Sequence, residues 1–189
     1  MAAPPLTVQA WFGPAFAALD PALQRLHRDG GTLAGPVRIV FPAGLRGVIG
    51  RPIARRMGIP CDGHAHRLQV TVRSEAGALH WDRRFDAGAH FASVFVPVGT
   101  YPDGYWVESA GALALRLGVA IVDGAWHWRH RATMLAGLAL PAWLGPRVHG
   151  SKAVLDGRYQ FSVALSLPMW GTVMTYQGEL SPAPGLGVP

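Results

Sequence analysis

The chain has 189 residues, half of them apolar and only 15% charged, which suits one folded domain with a sizeable core and excludes a largely disordered protein. The net charge of +6 comes from sixteen scattered arginines and one lysine set against eleven acids, and no nucleic-acid-binding motif accompanies them, so we expect no nucleic-acid partner. With a single cysteine, no basic stretch near the N-terminus and no apolar run long enough for a bilayer, we expect neither a disulfide scaffold, a signal peptide nor a membrane span, and a cytoplasmic location.

The first third of the chain is predicted to be mostly helical. Residues 1–11 are rich in proline and are expected to be flexible. Apolar side chains recur at helical spacing over residues 12–27 and again over residues 43–57, which predicts two helices, the second divided near Pro52. Residues 37–41 alternate as a strand does.

The second predicted helix carries a small basic face. Arg51, Arg55 and Arg56 fall away from its apolar side chains. A short basic amphipathic helix can touch anionic lipid, which would make at most a peripheral membrane contact, or it can form a lid over a cavity. A solvated helix face is the favoured interpretation, because the element is short.

From His66 onward the sequence predicts strands joined by turns. Asp123-Gly124 and Asp156-Gly157 are hairpin signals, because both positions of a tight hairpin turn favour such residues. The predicted strands cover residues 68–73, 79–85, 91–96, 105–109, 112–122, 125–133, 138–144, 153–155, 158–166 and 172–180.

This number of antiparallel strands favours a closed architecture, which removes exposed sheet edges. A helix-grip fold needs a long C-terminal helix, whereas this chain ends in a strand. We therefore predict a mainly β fold, an antiparallel calycin-like or partly open β-barrel with one or two N-terminal helices. Residues 12–180 would form this single domain, and residues 181–189 a flexible tail.

Short motifs along the chain resemble the DUF4166 family. They are found at residues 16–27, 81–85, 108–111, 140–144, 161–163, 167–171 and 176–180, in the order that the family shows. The resemblance covers about residues 12–180. It implies no assigned chemistry and no catalytic residue. Since the family also occurs fused to saccharopine-dehydrogenase-like domains, it suggests a dehydrogenase-like partner protein.

The segment from His80 to Phe85 is the strongest candidate for a site. On a strand, Trp81, Arg83 and Phe85 share one face, so a guanidinium lies between two rings. Buried in that way, it needs a partner, either from a ligand or from an acid of the chain. Glu108 is the favoured acid. The alternative is that Glu108 is a general acid or base whose pKa is raised in a dry cavity.

These residues lead to two hypotheses about function. The first is a soluble barrel that binds a hydrophobic or aromatic small molecule, with Arg83 and Glu108 as the polar anchor and an apolar wall made of Trp81, Trp106, Trp128, Phe161 and Tyr176. The second is a cofactor-independent isomerase, cyclase or hydro-lyase that uses Glu108 or a histidine in the same cavity. Whether the protein is an enzyme stays open at this point.

We expect neither a metal nor a cofactor. His64 and His66 share a strand face, but no third ligand follows at a supporting distance. The chain also lacks the GxGxxG fingerprint of dinucleotide-binding domains.

Overall fold

The computed structural model describes residues 7–86, 88–110 and 112–183, and in this part of the chain ten antiparallel strands close into a barrel. The helices are α1 (Val8–Phe12), a 3-10 helix (Gly13–Ala18), α2 (Pro21–Asp29) and α3 (Leu45–Arg56). The strands are β1 (Gly31–Val40), β2 (His66–Glu75), β3 (Ala78–Phe85), β4 (His90–Val98), β5 (Tyr105–Ala110), β6 (Leu113–Val122), β7 (Ala125–Leu135), β8 (Leu138–Ala139), β9 (Arg147–Leu155), β10 (Arg158–Leu167) and β11 (Gly171–Pro182).

The barrel is a meander with one strand left outside it. Strands β1 to β7 pair in chain order, β7 then pairs with β9, and β9, β10 and β11 lead back to β1. The short β8 pairs only with the end of β7. The predicted mainly β barrel is confirmed, and it is closed rather than partly open. In the described residues the helices end at Arg56, also as predicted.

The helices before β1 cover one end of the barrel. The Trp11 indole donates a hydrogen bond to the carbonyl of Val98 at 3.3 Å, and the Tyr101 amide donates to the carbonyl of Trp11 at 2.9 Å. The Asp20 amide reaches the carbonyl of Gly124 at 2.9 Å. These bonds tie α1 and α2 to the β4–β5 and β6–β7 turns, so these helices form a plug.

The N-terminal segment differs from its prediction in two ways. Residues 8–11, expected to be flexible, form most of α1, and Trp11 is fully buried; residues 1–6 lie outside the described residues. The single helix predicted for residues 12–27 is wrong, because the chain is extended at Leu19 and Asp20. Pro21 explains the break, since the residue before a proline is disfavoured in the helical region.

Helix α3 lies across the opposite end of the barrel and packs closely on β11. A Cβ atom at position 50 would collide with the carbonyl oxygen of Val173, so glycine is required there. Pro52 lies inside α3 without dividing it, which corrects the predicted break. None of the helices in the described residues is both long enough and apolar enough to cross a bilayer.

Three strands differ in extent from their predictions. Strand β1 begins at Gly31 rather than at residue 37, and β9 begins at Arg147 rather than at residue 153. The predicted strand 138–144 is reduced to the two residues of β8. Glycine and proline in the first two strands concealed them, because both residues are depleted in strands. Ser181 and Pro182, which were assigned to the predicted tail, belong to β11; residues 184–189 lie outside the described residues.

Candidate functional site

A cavity of about 780 Å³ lies inside the barrel and extends from the plug side to α3. Its wall is mainly apolar, and a few polar side chains interrupt it. Residues of this wall that concern the site are Trp81, Arg83, Glu108, Trp128, Lys152, Tyr159, Phe161, Val163 and Tyr176. The period-two alternation of the strands brings them inside, because each lies on the inward face of its strand.

Six of the seven predicted site residues line this cavity, namely Trp81, Arg83, Glu108, Trp128, Phe161 and Tyr176. Trp106 does not. It is fully buried below the cavity, with ring centroids 5.3 Å from Trp11, 6.1 Å from Trp126 and 6.4 Å from Trp128. Trp106 therefore belongs to the aromatic contact between barrel and plug, and its assignment to the cavity wall is corrected.

Arg83 is held by ring faces and a hydroxyl group. Its guanidinium carbon lies 4.8 Å from the Phe91 ring centroid and 5.4 Å from that of Trp81. Its Nη1 donates a hydrogen bond of 2.8 Å to Ser93 Oγ. These contacts follow from strand pairing, since Arg83 is opposite Phe91 on β4 and Trp81 is opposite Ser93. Cation–π contact offsets part of the cost of burying the charge.

Glu108 does not form the predicted ion pair with Arg83. No ion pair between these two side chains is found in the described part of the chain. Burial raises the pKa of the Glu108 carboxyl, and the charge of Arg83, the Ser93 hydroxyl and the charge of Lys152 oppose this rise without cancelling it. The favoured structural pair is thus wrong, and the alternative of a carboxyl with a raised pKa in a cavity fits the geometry better.

Replacing Glu108 with glutamine should therefore cost little stability. The pKa of the Glu108 carboxyl is higher in the folded than in the unfolded protein. Its contribution to the free energy of unfolding is therefore complete below about pH 4.5 and is lost as the pH rises through the folded-state pKa. Glutamine does not ionise, so the stability of Glu108→Gln should increase relative to that of the parent protein as the pH rises. Urea unfolding of both proteins between about pH 4 and pH 8 measures this difference.

The opposite result is equally specific. If the carboxylate is the essential partner of Arg83, Glu108→Gln would lower the free energy of unfolding by roughly 3 kcal/mol or more at neutral pH. Arg158→Met is a control on the outer surface, where the loss of an exposed ion pair with Glu179 should change the free energy of unfolding little.

Lys152, the single lysine of the chain, is the main residue of the cavity that the sequence analysis missed. It is only 7% exposed, and its Nζ lies 3.9, 4.8 and 5.1 Å from the ring centroids of Trp81, Trp126 and Trp128. Burial lowers the pKa of this amine well below 10.5; the charge of Arg83 lowers the pKa further, and Glu108 opposes the shift. The uncharged amine is therefore strongly favoured compared with an exposed lysine.

The side chain of His27 accepts a hydrogen bond from this amine. His27 Nδ1 lies 2.8 Å from the carbonyl oxygen of Leu23, so Nδ1 carries the proton and donates it. Nε2 then has a free lone pair, and Lys152 Nζ donates to it at 3.2 Å. The ring is fully buried and stacks on Trp126 with centroids 4.6 Å apart. Burial and the charge of Lys152 lower the pKa of His27, which keeps the ring neutral.

Two further polar atoms of the wall are buried without a hydrogen-bond partner among the described residues, the Tyr159 hydroxyl and the Trp81 indole nitrogen. Burial also raises the pKa of the Tyr159 and Tyr176 hydroxyls, so both are protonated at neutral pH. Buried polar groups are seldom left unpaired, and both can donate to a molecule in the cavity.

Two other candidates from the sequence, His66 and Arg51, lie outside this site. His66 Nε2 and Nδ1 contact Asp62 at 2.8 Å and Asp86 at 3.0 Å, where they hold the chain before β2 against the chain after β3. In the part of the chain that the structure describes, no group of three or more potential ligands is placed to hold a metal ion. The side chain of Arg51 is exposed on α3, and those of Arg55 and Arg56 are exposed as well but line the α3 end of the cavity.

Comparison with known families supports the resemblance. A family model described as "Domain of unknown function (DUF4166)" matches residues 19–180, which is most of the chain. No curated protein matches the chain. The family description assigns no activity, and the suggested dehydrogenase-like partner stays a prediction.

Proposed function

This chain belongs to the DUF4166 family, and we propose that its barrel binds a hydrophobic small molecule that has one polar end. The observation that carries the proposal is the internal cavity of about 780 Å³ with a mainly apolar wall and a few converging polar groups. Ligand sites typically have volumes of about 300–1,000 Å³ and this composition. Well-packed barrel interiors contain few voids larger than a water molecule, so a cavity of this size needs an explanation.

The wall indicates the chemistry of the ligand. Phe161, Tyr176 and Trp128 place aromatic rings in the wall, against which a chain or an aromatic system can pack. Arg83 donates one hydrogen bond to Ser93, and a guanidinium has five N–H groups, so it can donate further bonds to a ligand oxygen. A carbonyl, hydroxyl or carboxyl group at one end of the ligand would satisfy Arg83.

Narrowing the cavity should weaken ligand binding without unfolding the barrel. Val163 lies in the wall, and Val163→Phe should fill free volume and lower the affinity for a hydrophobic ligand by about tenfold or more. Native mass spectrometry of the purified protein would reveal a co-purified compound. Thermal shift with a library of lipids and aromatic compounds would then compare the parent protein with the variant.

The matched control is Ala164→Phe. Ala164 is the next residue of β10 and points to the other face of the sheet, so it adds the same ring outside the cavity. Affinity should be unchanged in this variant. A protein that carries no compound and whose melting temperature shifts with no member of the library would contradict the proposed function.

Glu108 favours a second candidate function, acid–base catalysis in the same cavity. Burial raises the pKa of its carboxyl towards the range in which such a group can both donate and accept a proton. If the co-purified compound is recovered with altered structure after incubation, and Glu108→Gln prevents the change while retaining binding, the enzyme hypothesis is supported. Recovery of unchanged compound supports binding alone.

A further inference from the structure

We propose that Lys152 forms an imine with an aldehyde or ketone in the cavity, so that the barrel holds a hydrophobic carbonyl compound covalently and reversibly. This inference rests on the proposed binding function and specifies its ligand class. It starts from the position of one amine at the cavity wall, surrounded by aromatic rings.

The surroundings of Lys152 favour a reactive amine over a structural ammonium ion. In the described residues no carboxylate forms an ion pair with it, and its one hydrogen-bond partner there is His27. The charged groups that act on it are Arg83 on β3 and Glu108 on β5. An ammonium ion in this place would have no carboxylate within ion-pair distance among the described residues and would be repelled by the charge of Arg83. Burial in an apolar pocket next to another cation is a known way to activate a lysine as a nucleophile.

His27 completes the geometry that addition requires. Its Nε2 accepts one N–H of the Lys152 amine at 3.2 Å, which fixes the direction of that bond. A neutral imidazole at this point can also take the proton that the nitrogen must lose after it attacks a carbonyl carbon. The pair therefore supplies the nucleophile and the base from two elements, β9 and α2.

The reaction balances without any oxidant or reductant. The Lys152 nitrogen bonds to the carbonyl carbon and the C=O π electrons move to the oxygen. His27 takes one proton from the nitrogen and releases it to the oxygen, which gives a carbinolamine. The nitrogen lone pair then expels the hydroxyl group. It leaves as water after protonation, and the Glu108 carboxyl, whose pKa is raised by burial and which lines the same cavity, is the group suited to donate this proton. The iminium ion formed in this step returns its N–H proton to the Glu108 carboxylate. The products are therefore a neutral imine and one water molecule, and addition of water reverses the sequence.

The composition of the chain makes the test unusually clean. Lys152 is the only lysine among the 189 residues, so in a protein with a lysine-free tag the only other primary amine is the N-terminal α-amino group. Sodium cyanoborohydride reduces an imine to a stable secondary amine. Dodecanal and 4-biphenylcarbaldehyde serve as probes, and intact mass and peptide mapping show how many adducts form and where.

At about pH 7.5 we expect one adduct on Lys152, formed about tenfold or more faster than on free N-acetyl-lysine amide, because an ordinary lysine with a pKa near 10.4 is neutral in only about one molecule in a thousand. Lys152→Arg retains a cation but cannot form an imine, and it should lose this adduct. Val163→Phe, which narrows the cavity, should slow the reaction on Lys152 and leave the N-terminal reaction unchanged.

An adduct found only at the N-terminus, or a rate on Lys152 no greater than that of the free amine, would overturn the proposal. If Lys152→Arg fails to fold, peptide mapping of the parent protein still decides the question.

Dodecanol and 4-biphenylmethanol distinguish binding in the cavity from imine formation on Lys152, since they match the probes in shape but lack a carbonyl group. Thermal stabilisation by the alcohols without an adduct from the aldehydes would reject the imine and leave the binding function standing. Absence of both stabilisation and adduct would reject the imine and count against the binding function as well. Stabilisation by the alcohols together with a fast Lys152 adduct supports both.

Discussion

Replacing Trp126 with alanine is expected to lower the free energy of unfolding by about 3–5 kcal/mol, the range for large aromatic side chains removed from a core. Trp126 is fully buried where the plug meets the barrel. Its ring contacts Phe12 at 4.9 Å and stacks on His27 at 4.6 Å on the plug side, and contacts Trp128 at 4.9 Å on the barrel side. Removal of this ring would leave a void between the plug and the barrel, because both pack against it. Urea unfolding with far-UV circular dichroism measures the change.

Trp143→Ala is the matched control. It removes the same side chain, but Trp143 is 69% exposed, and a surface change of this kind is expected to alter stability by about 0.5 kcal/mol or less. If Trp126→Ala cost no more than Trp143→Ala, the plug would not be anchored through this tryptophan. The aromatic contacts between α1, α2 and the barrel would then be dispensable.

Much of the barrel could be predicted because its signals are local. The Asp123-Gly124 and Asp156-Gly157 turns have positive φ at both positions, 49° and 75° in the first and 50° and 73° in the second, as a tight hairpin turn requires. Alternation of apolar and polar residues fixed the inward face of most strands. For the same reason, six of the seven predicted site residues lie on the cavity wall.

Trp106 shows where this reasoning ends. Alternation tells which face of a strand a side chain occupies, but not how far along the barrel axis it lies. The N-terminal helices fill the barrel at the level of Trp106, and no local pattern reveals that, because the contact between Trp11 and Trp106 joins distant parts of the chain. Trp106 does point into the barrel, but the cavity does not extend to its level along the barrel axis.

The predicted Arg83–Glu108 pair was wrong for a different reason. It assumed that a buried guanidinium must meet a carboxylate, and few acids were available. The barrel instead places Arg83 between the rings of Trp81 and Phe91 and against the hydroxyl of Ser93. Two aromatic rings and a neutral hydrogen-bond acceptor stabilise the buried guanidinium, whereas the prediction assigned this role to one carboxylate.

Lys152 was missed because its strand was not recognised. Gly150 and Ser151 precede it, and the alternation before residue 153 is poor, so the lysine seemed to lie in a loop. Its partner His27 is 125 residues away along the chain, which no local pattern can connect. The one available signal was compositional, a single lysine in a chain that otherwise uses arginine for every basic position.

Lys152→Met should change the pH dependence of stability. The pKa of the folded-state amine lies well below 10.5, so its contribution to stability is complete above about pH 10.5 and is lost as the pH falls through the folded-state pKa. The parent protein should therefore become more stable as the pH rises from about 7 to 9.5, by up to about 1.4 kcal/mol per pH unit from this group. Methionine has a similar length and no charge, so the variant should lack this slope. Urea unfolding across the same range measures both proteins.

The slope, rather than the stability at one pH, decides the outcome. Lys152→Met leaves His27 Nε2 without its hydrogen-bond donor, which lowers the free energy of unfolding by about 1–3 kcal/mol. This loss is the same at every pH in the range, because His27 is neutral throughout it. The Tyr159 and Tyr176 hydroxyls titrate above this range because burial raises their pKa values, and Glu108 is common to both proteins. Arg158→Met is the control, because an exposed arginine stays protonated throughout and its removal should leave the slope unchanged. If the parent protein and Lys152→Met have parallel profiles, Lys152 is an ammonium ion clamped by three tryptophans at all these pH values. In that case the amine would not be available as a nucleophile, and the imine would lose its physical basis.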